Sequence, residues 1–214
     1  RGRGQDYSTF SIFDISKKPF KQVAIYRDNM ISPLLFPDII ERYARLYNDC
    51  LVIIENNDQG QVVCNNLYYD IEYENVFTQS SVKASGIGVT MTKKTKQIGC
   101  STLKEVLEEN KLQIIDKFTI NELLTFVSKG QSWEADGGHH DDLVMNLVMF
   151  SWFLTTPYFQ SLTDLELKKM LYDEQQQVIE DDLVPAGFFA KDDGPEVFVE
   201  GGDIWTVVED TKIY

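Results

Sequence analysis

Polar and apolar residues alternate at a period of two near the start of the chain and at helical spacing further on, and these switches mark out its elements. Residues 8–15 (Ser-Thr-Phe-Ser-Ile-Phe-Asp-Ile) and 20–27 (Phe-Lys-Gln-Val-Ala-Ile-Tyr-Arg) are rich in β-branched and aromatic side chains, and the Ser16-Lys17-Lys18-Pro19 break between them predicts a hairpin. After Ser32-Pro33, the residues Leu34, Leu35, Ile39, Ile40, Tyr43 and Leu46 recur at helical spacing, with Pro33 suited to a first helical turn. The run Leu51-Val52-Ile53-Ile54 reads as a buried strand that ends on Glu55. A helix over 61–69, a short strand over 76–79 and a mobile Ser/Gly/Thr-rich loop over 80–92 are expected next.

The pattern then predicts a helix from Lys93 to Glu109 and a strand over 112–115. Thr119-x-x-Glu122 is a capping-box signature for a helix over 122–127, and the glycine-punctuated segment 129–140 reads as a loop. From Asp142 the residues Leu143, Val144, Met145, Leu147, Val148, Met149, Phe150, Trp152, Phe153 and Leu154 leave almost no polar face, which predicts a helix buried all round. Thr163-x-x-Glu166 is expected to cap a further amphipathic helix to Gln177, and strand-like runs follow at 196–199 and 204–208. Alternating strands and helices behind a hairpin imply an α/β mixed sheet with helices on both faces. The expected division is a main domain over 1–160 and an acidic C-terminal helix and extension over 161–214.

The net charge of −14 would argue against a nucleic-acid partner if it were spread evenly. Residues 151–214, however, hold 14 acidic against 4 basic side chains, leaving 20 against 16 in residues 1–150, so the acid sits in the tail. No apolar run approaches the roughly 18 residues that span a bilayer, and no secretory pattern opens the chain. Cys50, Cys64 and Cys100 are odd in number and far apart, and read as reduced core thiols of a cytosolic protein. With His139 and His140 as the two histidines and no CxxC pair, the composition argues against zinc.

Two acidic positions carry the candidate chemistry. A carboxylate that ends a buried strand, as Glu55 does, is costly unless paired, and a divalent metal is a natural partner. Glu55 is followed by Asn56-Asn57-Asp58-Gln59-Gly60, a polar turn beyond the strand's carboxyl end, where open α/β sheets place ligands. Asp141 and Asp142 open the apolar helix. One aspartate suffices as a cap, so the second can face a cleft. Together these acids suggest a metal-dependent site acting on phosphate esters. Lys93, Lys94 and Lys96, with Lys104 beyond, could hold a phosphate backbone by point charges. The pattern GxxxxGK[ST] is absent, so the chain encodes no nucleotide-hydrolysing motor of that type.

Four strings make a resemblance specific: Gly-Arg-Gly-Gln-Asp-Tyr (2–7), Val-Ile-Ile-Glu-Asn (52–56), Thr-Lys-x-Ile-Gly-Cys-Ser-Thr-Leu-Lys (95–104) and His-Asp-Asp-Leu-Val-Met (140–145). In this order they resemble the nuclease domain of the large terminase of tailed bacteriophages with contractile tails, over roughly residues 2–155. The resemblance implies a ribonuclease H-like fold and a Mg²⁺- or Mn²⁺-dependent endonuclease that cuts concatemeric viral DNA during head filling. It implies an acidic triad of an Asp on a first strand, a Glu ending a later strand and an Asp opening a late helix. Glu55 matches the second member and Asp142 the third, so both are the expected catalytic metal ligands. Asp141 becomes a cap or outer-shell group, and His140 a group that orients a ligand. The first member is expected upstream of Arg1; Asp14 falls on what the resemblance makes the second strand, and Asp6 is the candidate auxiliary carboxylate.

The implied partners are double-stranded DNA, gripped by Lys93, Lys94, Lys96 and Lys104, the phage portal, the small terminase subunit and an ATPase domain upstream in the same parent protein, all in the host cytoplasm. No membrane partner is expected. The alternatives are a non-catalytic module that docks on DNA or the portal, and another ribonuclease H-like nuclease such as a junction resolvase.

Overall fold

A computed structural model describes residues 7–79, 86–130, 132–163, 197–200 and 203–206, the last two stretches as backbone. The chain divides into two units, Arg1–Ser161 and Leu162–Tyr214. The first unit opens with the expected hairpin, β1 (Ser8–Asp14) antiparallel to β2 (Phe20–Asp28). The register slips between Ile12 and Phe13, because Ile12 faces Ala24 while Phe13 faces Gln22. Val23 is thus the extra residue of a bulge, which inverts the alternation along β2.

That inversion distributes side chains to two covered faces. Phe10 and Tyr26 stack at 5.2 Å and meet Phe36 on helix α1 (Phe36–Leu46). On the opposite face, Phe13 stacks at 4.1 Å on Phe150 of helix α5 (Asp142–Leu154). Asn146 of α5 donates to the hydroxyls of Thr9 and Ser11, 3.2 and 3.4 Å away. The strand β3 (Leu112–Gln113) completes the sheet by pairing parallel to Phe20–Lys21, giving the order β1-β2-β3. Helices therefore cover both faces, as the alternation of elements predicts.

Helix α1 begins three residues later than expected: Pro33 lies in the preceding turn, and Pro37 occupies the first helical turn instead. The run 52–55 is half-buried rather than fully buried, and it pairs through single bridges, Val52 with Val76 and Glu55 with Val89. Helix α2 (Gly60–Asn65) continues as a wider π turn over Asn66–Asp70, so the segment 61–69 is helical but not uniformly α. Of the expected loop over 80–92, Ile87 and Val89 prove to be core residues, because their backbone bridges back to the 52–55 and 76–79 segments. Residues 80–85 fall outside the described residues.

Helix α3 (Lys93–Glu108) matches its expected extent. It lies directly on α5: an added Cβ at Gly99 would stand 2.4 Å from the Val148 carbonyl oxygen. No side chain larger than hydrogen fits that crossing. Helix α4 (Lys117–Leu124) starts earlier than the capping-box reading puts it. Asp116 is the N-cap, its Oδ2 accepting from Thr119 N at 2.6 Å, and Thr119 is fully buried rather than capping. The predicted loop 129–140 contains structure too: β4 (Phe126–Lys129) and β5 (Ser132–Ala135) form a hairpin, with Phe126 stacked on Trp133.

Helix α5 has no exposed residue along its length, as its sequence predicts. The expected helix from Thr163 to Gln177 lies outside the described residues beyond Thr163. In the second unit, β6 (Val197–Glu200) pairs antiparallel with β7 (Asp203–Thr206), close to the two strand-like runs of the sequence. No helix among the described residues is long and apolar enough to cross a membrane.

Candidate active site

Asp142 is the first residue of α5, and its surroundings come from two strands and from the residues just before the helix. Its Oδ2 accepts from the Tyr7 N–H at 3.2 Å and lies 3.7 Å from His140 Nδ1, while its carbonyl accepts from the Thr9 hydroxyl at 3.2 Å. The His140 ring meets Tyr7 edge-on at 5.1 Å, and the Arg27 guanidinium stacks over the other ring system of this pair, 3.5 Å from the Tyr7 centroid. The start of β1 and the residues opening α5 thus meet at one carboxylate, with Arg27 from the end of β2 packed on Tyr7 behind it.

The helix end itself is capped from a distance. Asp141 occupies the N-cap position but makes no side-chain capping bond. Glu122 of α4 does so instead, its Oε2 accepting from Leu143 N at 2.7 Å and Val144 N at 3.4 Å. The Arg27 Nε lies 3.7 Å from the second oxygen of Glu122, and both atoms are buried without a hydrogen-bond partner among the described residues. Burial pushes the Glu122 carboxyl above its usual range, against the pull of the two backbone donors and Arg27. Sequence reasoning missed this residue. Its position three after the buried Thr119, with Asp116 three before that, was the available sign that Glu122 belongs to the interior of a helix rather than its start.

Glu55 is held through its neighbours. Asn56 N donates to Val89 O at 3.0 Å and Val89 N to Ile54 O at 2.7 Å, which fixes the backbone on both sides of it. The Asn56 amide donates to Ile87 O, and Asn57 exchanges bonds of 2.8 and 3.2 Å with the backbone of Met91. Chain reversal is tight enough that an added Cβ at Gly60 would stand 1.8 Å from the Glu55 carbonyl oxygen. The turn after Glu55 is therefore stitched to the residues that lead into α3.

This linkage sets the lysines in place. Thr92 caps α3, accepting from Thr95 N at 3.1 Å, and Lys93 and Lys94 are exposed at that helix start. Lys96 turns elsewhere, its Nζ lying 5.8 Å over the Phe126 ring of β4. Lys104 pairs with Glu108 at 3.7 Å, one turn along. Asp6 lies outside the described residues, and Asp14 accepts from Ser16 N in the hairpin turn. Among the described residues no group of three or more His, Cys, Asp or Glu side chains is placed to hold a metal ion. Carboxylates such as those of Glu55 and Asp142 are the type of ligand that a hard divalent cation takes.

Residues 1–151 match the family model of the terminase RNaseH-like domain. The chain belongs to this family. Its fold also resembles that of the large terminase nuclease from thermophilic phage G20c, solved with bound cobalt: the TM-score is 0.56 at 20% identity, over 69% of this chain and 74% of that one. A second structure of the G20c nuclease gives a TM-score of 0.51 at 21% identity, over 70% and 76% of the two chains. The terminase RNase H-like fold expected from the sequence is thereby established, and a packaging nuclease is the function its family points to.

Proposed function

We propose that this terminase domain is a divalent-metal-dependent endonuclease that cuts concatemeric viral DNA during genome packaging, with little sequence preference. Glu55 and Asp142 are its metal-binding carboxylates and Mg²⁺ or Mn²⁺ its ion. When bound, such an ion activates water and stabilises the leaving oxygen of a phosphodiester. The chain's own residues supply the rest. The Tyr7 N–H and His140 hold the Asp142 carboxylate in one orientation, and the bridge to Val89 holds Glu55 at the end of its run. Lys93 and Lys94 present positive charge to the DNA backbone, a contact that positions the duplex without reading bases.

The observation that carries this reading is the seating of Asp142 at the start of a helix with no exposed residue, where it cannot drift. Bound cobalt in the G20c nuclease supports a divalent ion here. The four sequence strings support the contractile-tail lineage, and with it the portal, the small terminase subunit and an ATPase domain as partners in the host cytoplasm. The scarcity of clustered acids among the described residues favours a second reading, a domain that grips DNA or the portal without cutting it.

Supercoiled plasmid separates the two. The nuclease reading expects nicking and linearisation with Mg²⁺ or Mn²⁺, none with chelator, and none from Asp142→Ala or Glu55→Ala protein that retains its fold. Cleavage by both purified variants at the wild-type rate refutes the assignment; DNA binding without cleavage under any metal supports the docking module.

A further inference from the structure

A carboxylate at the first position of a helix normally competes for the N–H groups just inside it, because those donors lack partners within the helix. In α5 they are already taken. Leu143 N and Val144 N both donate to Glu122, which reaches in from α4 across a separation of 21 residues to the nearer donor. Asp141, at the N-cap position, makes no capping bond, and Asp142 points instead to Tyr7 N and His140. Glu122 is 7% exposed, and its partner Arg27 is held between the Tyr7 ring and the second Glu122 oxygen. The same arginine therefore touches the residue that orients Asp142 and the residue that caps its helix. A shallow cavity of about 160 Å³, lined in part by Arg27, Glu122, His139 and His140, opens beside them.

We propose that Glu122 is a positioning residue for Asp142: by capping α5 from another helix it keeps the aspartates from folding back onto their own backbone and leaves the Asp142 carboxylate aimed at the metal. The inference rests on the nuclease reading and adds to it a residue outside the acidic triad. Simple capping for stability needs no acceptor from another helix, since Asp141 stands where a cap belongs and could serve. Placing the cap on α4 and tying it to Arg27 spends a buried charge to free that position.

Mn²⁺ affinity, followed by electron paramagnetic resonance on the intact chain well below the melting midpoint of each variant, tests this separately from catalysis. Glu122→Ala is expected to weaken Mn²⁺ binding about ten-fold, the scale seen when an outer partner of a metal ligand is lost. Glu122→Gln keeps an oxygen acceptor for Leu143 N and is expected to stay within about two-fold of wild type. Should the alanine variant not fold, Glu122→Met keeps the volume and lacks the acceptor, and takes its place. Unchanged Mn²⁺ affinity in the variant without the acceptor overturns the proposal, as does an equal loss in Glu122→Gln. Equal Mn²⁺ binding by wild type and Asp142→Ala would instead sink the metal assignment of Asp142, and the positioning role with it.

Discussion

Replacing Gly60 by alanine is a sharp test of how Glu55 is held. The new Cβ would stand 1.8 Å from the Glu55 carbonyl oxygen and 2.9 Å from its carbonyl carbon. Both are backbone atoms, so no rotamer change relieves the overlap, and the chain must open by more than 1 Å, on the order of the gap to ordinary contact. Overpacking of this kind costs about 1–3 kcal/mol, and the better helix propensity of alanine offsets up to about 1 kcal/mol in α2. With the full offset the net loss reaches about 2 kcal/mol at the severe end, where this backbone overlap belongs, and lowers the urea midpoint by up to roughly 1 M for a domain of this size. The effect on cleavage is larger in proportion, because a displacement of about 1 Å at a catalytic group can cost about a hundred-fold in rate. Plasmid nicking and urea unfolding are measured side by side on Gly60→Ala and on Gly137→Ala, where an added Cβ meets nothing within 4 Å. A Gly60→Ala protein with wild-type midpoint and wild-type cleavage would show that the turn gives freely and that Glu55 is not fixed by it.

Three further outcomes are expected. Arg27→Met strips Glu122 of its counter-charge and is expected to cost about 2–3 kcal/mol, while Arg27→Met with Glu122→Gln recovers most of it; additive losses in urea unfolding would show that the two do not interact. Lys93→Gln with Lys94→Gln is expected to weaken DNA binding equally across sequences and to flatten the log Kd against log salt plot by about 2, a slope that filter binding reads directly. Burial pushes the Cys64 thiol up to about 12, so the folded chain keeps this proton after the unfolded chain has lost it. The stability linked to Cys64 is therefore intact below about pH 9 and lost as pH climbs toward 12; in Cys64→Ala the alkaline fall in urea midpoint should be shallower, and an identical fall would count against it.

The parts of the fold legible in the sequence are those set by local periodicity. The first hairpin and α5 follow from alternation and from an unbroken apolar run, and the bounds of α3 from its spacing. What local pattern cannot carry is pairing at a distance. Val52 and Glu55 reach Val76 and Val89 through single bridges, so the Ser/Gly/Thr-rich stretch that reads as a surface loop supplies Ile87 and Val89 to the core. The extra residue Val23 inverts the faces of β2 and sends Gln22 to Thr119 and Arg27 to Glu122, five positions apart yet on one side. Of the candidate site, the carboxylates Glu55 and Asp142 stand out in the sequence as acids beside apolar runs. Glu122 does not, because the donors it caps are backbone N–H groups, which leave no trace in the residue type.

Gly99 ties this together mechanically. With no Cβ to separate them, α3 and α5 meet backbone to backbone at Val148, so the helix whose start presents Lys93 and Lys94 and the helix that opens with Asp142 are clasped together there. If the lysines grip the duplex and Asp142 belongs to the cutting centre, the spacing between grip and cut is a ruler built from two helices, and a pull on the DNA would be felt at the carboxylate without any loop to absorb it.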